Sequence, residues 1–225
     1  MTDDNSSYRE RRGLAAAFVL CALASLTLLA NHRSGGVYSL ADFIKGAASN
    51  QFGDGLVHGG FIVTSGALIV CFVFLSRCLG SGRALVVIGL VFFCIGCGAL
   101  MASMILDGFA TPAIAARIAG TDSPDNLLTA KTLFLFLGAL IRSLMPMGML
   151  LQSAAMLSWS SVIVRGRGLR HAVGAFGLAA ALSLMVALLA VPAEMTLHVL
   201  LGGIVLQAIW YLALAALLFS GRLVA

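Results

Sequence analysis

Charge is what this chain has least of. Only 10% of its 225 residues are charged, against about 25% in a soluble domain. Roughly half the surface of a dissolved globular protein must be polar, and 14 basic plus 9 acidic side chains cannot supply that. A cytosolic enzyme and a disordered chain are thereby excluded. A net charge of +5 and a pI near 9.3 would suit a nucleic-acid binder. The basic residues, however, sit in short clusters between long apolar runs, so nucleic acid is not an expected partner and the lipid bilayer is.

Chemical signatures are missing as well. There is no glycine-rich phosphate loop, no His-Glu-x-x-His and no nucleophile elbow, so no motif identifies a reaction. No His-x-x-x-His spacing marks a tight metal site. Arg9, Arg11 and Arg12 precede the first apolar stretch as in a signal peptide, but Leu29-Ala30-Asn31-His32 is no small-x-small cleavage site, so a retained helix is expected. The five cysteines fall mostly within apolar runs. Cys94-Ile95-Gly96-Cys97 lies mid-helix, where a thiolate is disfavoured, so these read as packing residues rather than a disulfide framework or a redox pair.

What is present is apolar sequence: 60% of the chain, with a mean hydropathy of +1.04. A helix crosses about 30 Å of hydrocarbon with about 20 residues. Six segments qualify: 13–30, 57–76, 84–106, 132–158, 172–190 and 197–219. The expected architecture is all-α, a single six-helix transmembrane domain over residues 1–225. With the N-terminus inside, Arg9, Arg11, Arg12, Arg77, Arg83, Arg165, Arg167, Arg170 and Arg222 fall on the inner side, and Arg33, Lys45, Arg117 and Lys131 on the outer. This bias predicts both termini cytoplasmic, in a bacterial inner membrane. Ser39 with Asp42 resembles a capping box and predicts a short amphipathic helix in one outer loop. Thr111 as cap and Pro112 in the first turn predict another.

Ionisable residues at membrane depth default to functional hypotheses. His58 is the second residue of a helix descending from the outer face, Asp107 follows one ascending to it, and His198 is the second residue of another descending helix. If those helices are neighbours, two imidazoles and a carboxylate meet in one layer. That set suits zinc, copper or iron, or a proton relay. A plainer reading keeps each as a half-solvated helix-end residue. Arg142 lies eleven residues beyond Lys131, which puts it roughly 16 Å deep. It should face protein or water and take a partner, with Asp107, Ser103 and Gln207 as choices; a buried pair that fixes helix register is the structural alternative. Pro146 removes the donor to the carbonyl of Arg142, and a kink there would open a cavity. Met145, Met147 and Met149 point to different helix faces and read as filler. Gln152 and Gln207 are expected to bridge helices, Trp159 to anchor at the inner interface, and Trp210 with Tyr211 to line the bundle interior.

Three functions fit these residues. One is binding or translocation of a small ion, proton or anionic solute through an outward-facing cavity with Asp107, His58 and His198 at its mouth and Arg142 at its base. Another is a redox protein holding haem b or a divalent metal between His58 and His198. The last is a non-catalytic accessory subunit, in a homo-oligomer or a larger membrane complex, whose polar residues only fix packing.

Overall fold

The computed structural model describes residues 3–32, 39–119, 124–190 and 197–223. These residues are helical apart from their connections: α1 (Asp3–Ala30), α2 (Leu40–Ser49), α3 (Gln51–Leu79), α4 (Ala84–Ile105), a π-helical turn (Leu106–Ala110), α5 (Thr111–Ile118), α6 (Pro124–Ile163), α7 (Leu169–Ala190) and α8 (Leu197–Phe219). Six helices are long and apolar enough to cross a membrane, α4, the π-turn and α5 forming one of them as a continuous rod.

The long helices pack as a closed ring in the order α1, α3, α4, α6, α7, α8 and back to α1. At one end of the bundle α3 joins α4, and α6 joins α7, through tight turns. Gly80 (φ +96°) and Gly168 (φ +58°) occupy conformations that a side chain disfavours. This turn end also receives the start of α1 and the end of α8. Counting from it sets the levels in the bundle. His58 is 21 residues from Leu79, Ile105 is 21 from Ala84, Arg142 is 21 from Ile163, and His198 is 21 from Phe219. At 1.5 Å per residue that is about 31 Å, one hydrocarbon thickness.

The described residues beyond that level build a cap. It comprises α2, the first turns of α3, α5 and the first half of α6. Ser39 accepts from the Asp42 amide (3.1 Å) at the start of α2. Ile44, Ala115 and Ala130 form a small core of their own there, flanked by an edge-on Phe43–Phe134 contact at 5.1 Å.

Glycine governs the tightest helix contacts. A Cβ on Gly96 of α4 would lie 2.8 Å from the Gly148 carbonyl oxygen of α6, so the two backbones touch as only small residues allow. Gly174 and Gly177 similarly seat α7 against Val164, just past α6, and Ser160 of α6. Mid-bundle, Phe72 stacks on Trp159 (4.3 Å, 6°) and on Trp210 (5.7 Å), and meets Phe18 edge-on at 5.1 Å.

Two expectations change. Trp159 is fully buried in this aromatic cluster and is no interface anchor. Its neighbours Ser158 and Ser161 look like a polar helix end, but each hydroxyl donates to the carbonyl four residues back (2.8 Å), so α6 runs on to Ile163 and the tryptophan lies inside. Thr111 does not cap a separate helix. Its hydroxyl donates to the Leu106 carbonyl (2.9 Å) inside the rod, because the π-turn carries α4 into α5 without a break. Arg142 stands level with His58 and His198, 21 residues from the turn end of α6, and that helix begins at Pro124 rather than near Lys131.

Candidate functional site

Pro112 has no N–H to donate to the Gly108 carbonyl, and its ring disfavours a regular turn over residues 108–112. The chain answers with the wider π-turn, a feature that recurs at functional sites. This turn carries Asp107 and Gly108 against the start of α3. A Cβ on Gly108 would run into His58 Cβ and Cγ, and Phe109 lies across Gly55 and Gly59. Glycine on both elements therefore permits the approach that joins Asp107 to His58.

The His58 ring is held at both nitrogens. Nδ1 lies 2.7 Å from the Asp54 carbonyl oxygen, which can only accept, so Nδ1 carries the hydrogen. Nε2 is then directed at Asp107 Oδ2, 3.2 Å away. A bare imidazole lone pair facing a bare carboxylate would be repulsive, so the pair requires a positive charge between its two atoms, supplied by a proton or a metal cation. The His58 side chain is only 6% exposed, that of Asp107 37%, so the pair is reached from the Asp107 side.

The third member of the cluster is His32, at the exit of α1. Its ring meets His58 edge-on at 5.3 Å. One ligand atom each from His32, His58 and Asp107 lies within 4.8 Å of the others, the one such grouping of metal-ligating side chains among the described residues. Among the described residues His32 Nδ1 is buried without a hydrogen-bond partner. Burial, reinforced by the neighbouring His58, pushes the His32 imidazole below its ordinary pKa, against the smaller opposing pull of Asp107 and Asp54. Sequence reasoning missed His32 because it falls in a connection where no periodicity marks it. Its one signal is distance: it lies about 20 residues, one hydrocarbon thickness, past the Arg9–Arg12 cluster.

His198 occupies the same level on α8, but its side chain lies outside the described residues. The main neighbours of α8 are α1 and α7, and it is α1 that packs beside α3. Arg142 is also at this level, on an exposed face of α6, where Nε donates to the Gly138 carbonyl (3.2 Å). Among the described residues no carboxylate pairs with it, and it is not brought to Asp107, Ser103 or Gln207. Pro146 sits within an uninterrupted α6.

The cluster opens into a cavity of about 920 Å³ between the cap and the bundle, walled in part by Asn31, Asp42, Gly46 and Asp54. Ligand sites commonly measure about 300–1,000 Å³. Beneath it lies a chamber of about 80 Å³ that includes Thr64, Gln152, Gln207 and Tyr211, and His32 borders both spaces. The chamber has room for water. Gln152 donates to Cys97 Sγ (3.2 Å), joining α6 to α4, while Gln207 Nε2 is buried without a partner. Below, Tyr211 belongs to the aromatic cluster around Phe72, which closes the path toward the turn end.

The six apolar helices and this polar recess at one end define a multi-pass helical membrane protein. No protein-family model, no curated protein and no solved structure matches the chain.

Proposed function

We propose that this protein binds a small cation, proton or protonatable solute in the cap-end cavity, and that the His58–Asp107 pair is the group that takes up the positive charge. The observation that carries this reading is the Nδ1 anchor of His58 on the Asp54 carbonyl, which leaves Nε2 and the carboxylate facing one another across 3.2 Å. The aromatic floor favours a binding pocket open at one end over a continuous pore. We place the cap on the outer face of a bacterial inner membrane, with both termini cytoplasmic, because the arginine clusters Arg9–Arg12 and Arg165–Arg170 sit at the turn end.

Haem is less well served than a small ion. Both ring nitrogens of His58 are already engaged, so iron ligation would displace Asp107 and leave its carboxylate against the haem.

A thiol at Gly46 tests the cavity and its sidedness together. A Cβ there meets nothing within 4 Å, so Gly46→Cys should fold normally. It should react with a small membrane-impermeant thiol reagent added outside sealed, right-side-out vesicles, and far more slowly in inverted ones. Reaction from the inner side alone would reverse the orientation. No reaction from either side in folded protein would refute an open cavity.

A further inference from the structure

Within that cavity reading, on which this inference rests, the geometry points to a three-ligand site for a divalent metal of the zinc class, formed by His58 Nε2, Asp107 Oδ2 and a ring nitrogen of His32, with a fourth position open to the cavity. A tetrahedral zinc ion with bonds of about 2.0–2.1 Å separates its ligand atoms by about 3.3–3.4 Å. His58 Nε2 and Asp107 Oδ2, 3.2 Å apart, already stand at that separation without any movement. The third ligand atom, within 4.8 Å of both, has little more than an ångström to close. His32 can close it, because it follows the last turn of α1 rather than sitting inside a helix.

Three further observations support a metal over an ordinary hydrogen-bonded cluster. The Asp54 carbonyl accepting from His58 Nδ1 is the outer-shell contact that fixes a ligating imidazole and leaves its other nitrogen free. Asp54 itself is held by Asn50 Nδ2, which donates to its carboxylate at 2.6 Å. Among the described residues His32 Nδ1 is buried with no hydrogen-bond partner, a group that a ligand would satisfy. Two imidazoles and one carboxylate form a borderline-soft set suited to zinc, iron or copper, and not to calcium or magnesium, which take oxygen. Three protein ligands and an open position are also how a metal that exchanges a water or a solute is held.

The test is binding of Zn(II), and of Co(II) as a spectroscopic substitute, to chelator-treated protein in detergent. Calorimetry should give one zinc per chain, and Co(II) the visible absorption of a four-coordinate nitrogen–oxygen site. Loss of an outer-shell partner typically weakens a site by about 10–100-fold, so the ligand variants His32→Gln and Asp107→Asn should each weaken it by at least about 100-fold. His171→Ala, at the opposite end, should bind as the parent does. Among the described residues His32 Nδ1 has no hydrogen-bond partner, so His32→Gln keeps the test valid if a His58 variant fails to fold. Absence of stoichiometric binding would overturn the inference, as would loss in His198→Ala with retention in His32→Gln. If Gly46→Cys is labelled while zinc does not bind, the metal site is refuted and the cavity stands; if neither occurs, both are.

Discussion

At the scale of single residues, the chemistry turns on which imidazole holds a proton. His58 is locked by the Asp54 carbonyl and faces a carboxylate. His32 faces His58 across 5.3 Å with no partner on its buried nitrogen, and its burial favours the neutral form. The two histidines are therefore unequal although they touch. For His32 the sign of the linkage is definite, because its pKa is lower folded than unfolded. Its neutral state favours the fold above the unfolded value of about 6.5, and that contribution is lost as pH falls through the lower folded value. His58, Asp107 and Asp54 all face it, so its titration is read by difference. Metal-free protein should melt at a lower temperature at pH 5 than at pH 7, and His32→Gln should show a smaller fall. An equal fall in the variant would show that His32 does not titrate in this window.

At the scale of elements, one turn positions the site. The π-turn at Leu106–Ala110 inserts one residue into a helical rod, and helical residues lie about 100° apart around the axis. Pro112→Ala restores the missing donor and lets this turn relax to α-helix, which would swing Asp107 around the rod and away from His58. The expected outcome is a folded protein whose His58 nitrogen chemical shifts change, read by NMR of ¹⁵N-histidine-labelled protein; unchanged shifts would mean that the proline does not set the turn. Gly108→Ala attacks the same contact by volume, since its methyl group meets the His58 side chain. Overpacking of this kind costs about 1–3 kcal/mol, which a thermal melt would register.

This element also shows what the sequence made legible. Six apolar runs are visible because burial in lipid needs only composition and length, and the Ser39 cap is a local signal. The helix α6 runs past its apolar stretch at both ends, because at its far end the serines bond back to their own helix. Asp107 and His58 were legible by depth. Their partner was not, since adjacency around a ring of helices is a tertiary property: His32 reaches the pair because α1 is the helix beside α3.

At the scale of the whole molecule, the polar recess and the aromatic cluster divide the protein. The histidine–carboxylate cluster lies at the cap end and the arginine clusters at the turn end, while the middle of the bundle is held by ring stacking and glycine contacts. Trp159 and Trp210 are the only two tryptophans, with ring centroids 6.4 Å apart, both within the floor that closes the path. All intrinsic tryptophan emission therefore originates at the barrier and none at the binding cavity. A ligand that merely occupies the cap-end site should leave the emission maximum unchanged. A ligand that drives the floor open should admit water to both indoles and shift emission to the red. The protein thus carries its own gauge, by which a passive receptor and a transporter caught with its lower gate shut can be told apart without a label.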